Sequence, residues 1–87
     1  MAATRVPLLL PDLGLGDRPV TVSQWLVGRH KWLIAGERLV EVLADGVTVD
    51  VPAPVSGRLV QTVAVEDDMV TKGSILGWIE PEVDVDD

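Results

Sequence analysis

The sequence predicts an all-β domain built from short strands. Valine supplies 16 of the 87 residues, whereas Phe, Tyr and Cys are absent. The branched valine side chain favours a pleated surface. Eight Gly and six Pro divide the chain into pieces of strand length. No segment keeps a sustained helical period of apolar residues.

Turn signals separate six predicted strands, namely residues 5–11, 20–27, 37–44, 47–53, 56–65 and 74–80. Asp45-Gly46 lies between two of these strands and is a preferred signal for a two-residue hairpin, because a type I′ turn needs positive φ at both positions. Within residues 47–51 the alternation predicts three valines on one face of the strand.

The chain also contains a weak internal repeat. A shift of 37 residues places residues 26–42 over residues 63–79, so that Gly36 falls on Gly73 and Leu39 on Leu76. Two halves that cannot each bury an apolar face are expected to pair around a quasi-twofold axis and to share one core.

Composition limits the classes of function. The length predicts one small domain, which we expect to cover residues 1–80, followed by an acidic tail or linker start over 81–87. The absence of cysteine excludes disulfides and thiolate metal sites. No apolar run is long enough for a signal-peptide core or a membrane helix, so we expect a soluble, cytoplasmic chain without a membrane partner. Because the net charge is −7, binding to nucleic acid is not expected.

Five segments of the chain resemble the lipoyl domain of 2-oxoacid dehydrogenase acyltransferases, a member of the biotinyl/lipoyl attachment domain family. They are LPDLGLG (10–16), WLV (25–27), AGERLVEV (35–42), VTVDVPAPVSG (47–57) and ILGWIE (75–80). The resemblance extends over residues 6–80 and implies a flattened β-barrel, or sandwich, of two antiparallel sheets with quasi-twofold symmetry. It also implies a hairpin that carries lipoate on a lysine at its tip.

The chain departs from this family pattern at the hairpin tip. Gly46 stands at the position of the attachment lysine, Asp45 at the neighbouring aspartate, and Leu43 where the family has a glutamate. The chain has two lysines, Lys31 and Lys72, and both fall in other loops. Glycine has no side chain that could be acylated, so we expect no lipoate and no other cofactor on this tip.

Three loops are candidate contact surfaces. The loop beside the hairpin corresponds to a region that partner enzymes read in the family, and two turns at equivalent positions of the repeat differ in charge. The candidate residues are Leu15, Asp17 and Arg18 in the first loop, Arg29, His30 and Lys31 in the basic turn, and Glu66, Asp67 and Asp68 in the acidic turn. These loops could bind a partner protein or a second copy of the chain. The alternative interpretation is that they are ordinary solvent-exposed turns.

No group of residues predicts an active site. His30 is the only histidine and has no orienting carboxylate in its segment, which makes it a poor base and a poor metal ligand. Ser56 precedes Gly57 but does not lie in the G-x-S-x-G pattern of a nucleophile elbow, and it is expected to be structural. Trp25 and Trp78 are expected to be core or half-buried, and Trp32 is expected to cover one end of the barrel. We therefore predict no catalytic residue, no metal site and no enzyme activity of the domain on its own.

Three functions from different classes are consistent with the sequence. The first is a lipoyl-like domain without lipoate that binds protein partners, such as components of a 2-oxoacid dehydrogenase complex. The second is a true carrier domain of a dihydrolipoamide acyltransferase, which would need a modification site outside the hairpin. The third is a structural barrel like those of membrane-fusion adaptors, whose barrels are interrupted by a helical hairpin that this chain lacks.

Overall fold

The computed structural model describes residues 4–16 and 18–82, and this part of the chain is all β. Its strands are β1 (Val6–Leu9), β2 (Val20–Trp25), β3 (Trp32–Leu33), β4 (Arg38–Ala44), β5 (Val47–Pro52), β6 (Gly57–Thr62), β7 (Met69–Val70) and β8 (Ile75–Pro81). They form two four-stranded antiparallel sheets, with the orders β1-β8-β6-β3 and β5-β4-β2-β7. The predicted fold class is confirmed.

The structure contains two strands that the sequence did not predict. β3 and β7 are two residues long and lie at the edges of the two sheets. A strand of this length cannot show a period-two pattern, and its pairing depends on a partner distant in the sequence. The acidic segment predicted over residues 81–87 lies almost entirely outside the described residues; β8 ends at Pro81.

The quasi-twofold symmetry is visible in the strand registers. In the β2–β4 pair Val22 lies opposite Val42, and adding 37 to both numbers gives the pair of Leu59 with Ile79 between β6 and β8. Both pairs of strands contain an irregularity of register directly after these residues. The 37-residue repeat predicted from the sequence is therefore a structural repeat.

One apolar core lies between the sheets and is shared by the two halves. The best-buried positions come in pairs related by the repeat, such as Leu39 with Leu76 and Val42 with Ile79, all with no exposed surface. No polar or charged side chain is buried among the described residues. Burial of each large apolar side chain contributes about 1.5–3 kcal/mol, so these paired positions hold the two sheets together.

Trp25 connects the two sheets at one point. Its indole N–H donates a hydrogen bond of 2.8 Å to the carbonyl oxygen of Ala64, and its ring lies against Gly77 of the opposite sheet. A Cβ atom on Gly77 would lie 3.1 Å from Cη2 of Trp25 and 2.7 Å from the carbonyl oxygen of Gln61. The glycine therefore provides the space that the tryptophan ring occupies.

The structure confirms two expectations for tryptophan and corrects a third. Trp25 and Trp78 are half-buried, as expected, whereas Trp32 is 67% exposed and covers no end of the barrel. Trp32 begins the edge strand β3, in which the next residue, Leu33, takes the inward position. Because successive side chains of a strand point to opposite faces, Trp32 points outward.

Glu37 organises the turn between β3 and β4. Its carboxylate accepts a hydrogen bond of 2.7 Å from Nζ of Lys31 and one of 3.2 Å from the backbone N–H of Ile34. These two donors, the Lys31 ammonium first, lower the pKa of Glu37 below its ordinary value of 4.5. The ion pair thus joins two turns that are separated in the sequence.

None of the described residues belongs to a helix that is long and apolar enough to cross a membrane.

We predict that Gly77→Ala lowers the free energy of unfolding by about 1–3 kcal/mol, because the added methyl group meets a backbone oxygen and the Trp25 ring. Urea denaturation measures the change. Gly28→Ala is the control, because a Cβ there meets nothing within 4 Å and should alter stability by less than about 0.5 kcal/mol. Equal effects of the two substitutions would contradict the role given to Gly77.

We predict that Glu37→Gln destabilises the protein at pH 7 and that this loss disappears at low pH. A carboxyl group with a depressed folded-state pKa stabilises the fold above its unfolded pKa, and this stabilisation is lost as the pH falls through the folded pKa. The difference between wild type and variant should therefore shrink as the pH falls below about 4.5. Glu82→Gln, which removes no described ion pair, is the control; a pH-independent difference for Glu37→Gln would contradict the prediction.

Candidate functional site

The β4–β5 hairpin ends in the turn that the sequence predicted. Ala44 pairs with Val47, and the two residues between them have positive φ, 54° at Asp45 and 79° at Gly46. These values are typical of a type I′ turn, whose twist matches that of the flanking strands. Both turn residues are exposed. The hairpin tip is therefore a regular, tight turn.

The tip offers no acceptor for a cofactor that is attached through a lysine amide. Gly46 has no side chain, although a Cβ atom there would meet nothing within 4 Å. Lys31 is paired with Glu37, and Nζ of Lys72 lies 3.8 Å from Oδ2 of Asp12, in a different turn. The residues present at the tip thus do not fit lipoate or biotin, for want of an amine and not for want of space.

The loop before β2 is fastened to the hairpin tip. A nitrogen of the Arg18 guanidinium lies 2.6 Å from Oδ2 of Asp45, with both side chains more than half exposed. An exposed pair of this kind stabilises a fold by no more than about 1 kcal/mol, so its main effect is on position. The ion pair holds the loop against the hairpin and occupies the carboxylate next to Gly46.

An apolar cleft of about 370 Å³ lies between this loop and the hairpin. Leu13 and Leu15 form one wall, and Val47 and Val49 form the other. The three valines of β5 do share one face, but their burial decreases toward the tip: Val51 is buried, Val49 is half-buried and Val47 is 61% exposed. The strand therefore presents an apolar side chain to solvent at the tip.

We call this region the hairpin end, made up of Leu13, Leu15, Arg18, Asp45 and Val47. It unites two of the predicted contact residues, Leu15 and Arg18, with the tip; Asp17, predicted beside them, lies outside the described residues. Sequence reasoning missed Leu13 and Val47 as parts of the cleft. The alternation of leucine with glycine in residues 13–16 is the signal that could have indicated an apolar wall.

The basic and acidic turns occupy equivalent positions, as the repeat predicted. His30 and Asp67, 37 residues apart, have φ of 71° and 75°. The N–H of His30 donates to the carbonyl of Leu59, and that of Asp67 donates to the carbonyl of Val22. Neither turn belongs to the hairpin end, since each lies beside the middle of a central strand.

The described residues bring no catalytic group together. Across residues 4–16 and 18–82 there is no cluster of three His, Asp or Glu side chains suited to hold a metal ion. Oγ of Ser56 accepts a hydrogen bond of 2.9 Å from the N–H of Ala35, which is a structural contact between two turns. The surface features that the described residues do form are a tight hairpin, an apolar cleft and two charged turns.

Comparison with known proteins gives the family. The family model described as "Biotin-requiring enzyme" matches residues 6–79. A succinyltransferase component of a 2-oxoglutarate dehydrogenase complex from Bartonella vinsonii subsp. berkhoffii is 38% identical over 71 residues, which are 82% of this chain and 17% of that protein. An acetyltransferase component of a pyruvate dehydrogenase complex from Corynebacterium glutamicum is 37% identical over 90% of this chain and 11% of its own.

A further relative belongs to a different system. The acetyltransferase component of an acetoin cleaving system from Cupriavidus necator is 30% identical over 93% of this chain and 22% of that protein. The chain thus spans less than a quarter of the length of each of these three relatives. The matched family model covers the barrel from β1 into β8. The chain belongs to the biotinyl/lipoyl attachment domain family and is a lipoyl domain related to the acyltransferase components of 2-oxoacid dehydrogenases.

Proposed function

We propose that this lipoyl domain carries no lipoate and acts as a docking module, which binds protein components of a 2-oxoacid dehydrogenase complex through its hairpin end. The observation that carries the proposal is the hairpin tip, where Asp45 and Gly46 form a tight turn without an amine. The domain has no catalytic role in this proposal, and it works in the cytoplasm beside the complex.

The surroundings of the tip support the absence of lipoate. Leu43, which stands where the family has a glutamate, is 43% exposed on β4. Asp45, the neighbour of Gly46, is held by Arg18 at 2.6 Å. A ligase that recognises the hairpin would therefore meet an apolar flank and an occupied carboxylate in addition to the missing lysine. The missing lysine and the apolar flank both depart from the family pattern at the tip.

The same surroundings support a docking role. The cleft wall of Leu13 and Leu15 is held against the hairpin by an ion pair, and Val47 leaves an apolar side chain exposed beside it. Apolar side chains that surround a cleft and are rimmed by charges are typical of protein contact sites. Because the ion pair already holds the loop in place, the loop would lose little conformational entropy when a partner binds.

The second candidate is a carrier whose modified residue is Lys72. Its turn lies at the same end of the barrel as the hairpin tip, because the N–H of Gly73 bonds the carbonyl of Leu10, which leads into the hairpin-end loop. Lys72 is 68% exposed at its side chain. Peptide mass spectrometry assigns any modification to one of the two lysines.

We predict that the purified domain gains no mass when it is incubated with a lipoate ligase, ATP and lipoate. Gly46→Lys supplies the amine, and because a Cβ there has open space the variant should fold, at a cost of about 1 kcal/mol for a side chain at positive φ. This variant should remain a poor substrate, and Leu43→Glu added to it should increase the rate.

Lys72→Arg, added to each of these variants, is the control that identifies the modified lysine. Acylation of the wild-type chain that Lys72→Arg abolishes would favour the second candidate. Efficient acylation of Gly46→Lys without the change at Leu43 would mean that the lysine alone had been lost.

We predict that Val47→Asp weakens binding of the domain to purified dehydrogenase-complex components from the same cells by about tenfold, as expected for an apolar residue at the centre of a contact. Calorimetry or biolayer interferometry measures the affinity. Ile34→Asp is the matched control, because Ile34 is 73% exposed on a turn away from the hairpin end. Equal affinity of both variants, or no binding by the wild-type domain, would contradict the proposal.

A further inference from the structure

The two charged turns lie on one side of the sandwich. β1 and β5 are the edge strands that line a common apolar groove, which contains Pro7 of β1 and Pro52 of β5. The other edges, β3 and β7, therefore lie together on the opposite side. Residues 26–31 cross from one sheet to the other just before β3, and residues 63–68 do the same before β7. We call this side the crossover edge.

The crossover edge combines one basic and one acidic turn. Lys31 is engaged by Glu37, and the carboxylate of Asp68 accepts the N–H of Val65. The exposed residues that remain are Arg29 and His30 in one turn, and Glu66 and Asp67 in the other. The ion pairs among the described residues include none of these four, so both turns present their polar groups to solvent.

Exposed apolar side chains lie close to both turns along the chain. Of the ten large hydrophobic residues that are exposed in the described part of the chain, three belong to the crossover segments, Leu26, Val63 and Val65, and two begin the edge strands, Trp32 and Met69. The repeat pairs Leu26 with Val63, 42% and 46% exposed, and Trp32 with Met69, 67% and 73% exposed. Concentrated exposure of this kind is typical of an interaction surface.

The symmetry of the domain makes this edge complementary to itself. The quasi-twofold axis passes between the two turns and exchanges a basic position with an acidic one. When a second copy faces the same edge, rotated about an axis perpendicular both to the quasi-twofold axis and to the line that joins the two turns, each basic turn meets the acidic turn of the other copy. Both contacts form at once, which is the isologous arrangement of a twofold dimer.

We propose that the crossover edge binds a second copy of this chain and forms a twofold dimer. The apolar side chains supply contact area, and the charged turns select this orientation over one that would bring like charges together. The strands at this edge, β3 and β7, are only two residues long and offer little backbone for pairing, so side chains carry the contact. The proposal does not depend on the function proposed above, because the hairpin end remains free in the dimer.

Sedimentation equilibrium of the isolated domain tests the dimer. The weight-average mass should rise from the 9.4 kDa of one chain toward twice that value between about 10 and about 500 μM, the range expected for a small interface. Arg29→Glu and Glu66→Arg should each raise the dimer dissociation constant by at least about tenfold, because each replaces two attractive contacts by repulsive ones.

Mixing the two variants provides the decisive comparison. Arg29→Glu places a carboxylate at the facing position of both turns, and Glu66→Arg places a guanidinium at both, so an equimolar mixture should form a heterodimer at concentrations where neither variant dimerises alone. Circular dichroism verifies that both variants are folded. A wild-type chain that stays at 9.4 kDa, or a mixture that stays monomeric, would overturn the proposal.

Discussion

The structure depends on one constraint: neither half of the chain can bury its apolar face without the other. The central strands β2 and β4 place Val22 and Val42 in the core, and β6 and β8 place Leu59 and Ile79 at the equivalent positions. All four side chains are without exposed surface. The inward face of each half buries the inward face of the other half. The register of all four central strands is therefore set by the burial of their apolar side chains.

This constraint also means that the fold does not depend on the residues of the hairpin tip. Asp45 and Gly46 lie beyond the last buried residue of β4, Ala44, and both are exposed. A type I′ turn needs residues that accept positive φ, which Asp-Gly supplies well. A substitution at the tip therefore leaves the buried core of the barrel unchanged.

The same constraint separates what the sequence could predict from what it could not. The repeat, the all-β class and the Asp45-Gly46 turn could be predicted because they depend on the residue types and on the spacing of apolar residues and turn signals along the chain. The short strands β3 and β7 form only because each pairs with a strand distant in the sequence, β6 and β2 respectively. The exposure of Trp32 depends on the same long-range pairing. The contact of Arg18 with Asp45 joins residues 27 positions apart and has no local signal. The contact roles of Leu15 and of the charged turns remain predictions.

We propose that this lipoyl domain acts by binding and not by carrying, because the barrel matches the family and the hairpin tip contains no lysine. The most direct test is the intact mass of the protein isolated from its own cells grown with lipoate. We predict the mass of the unmodified chain in every fraction, including the fraction that purifies with dehydrogenase components. A mass higher by one lipoyl group, located by peptide mapping on Lys31 or Lys72, would contradict it.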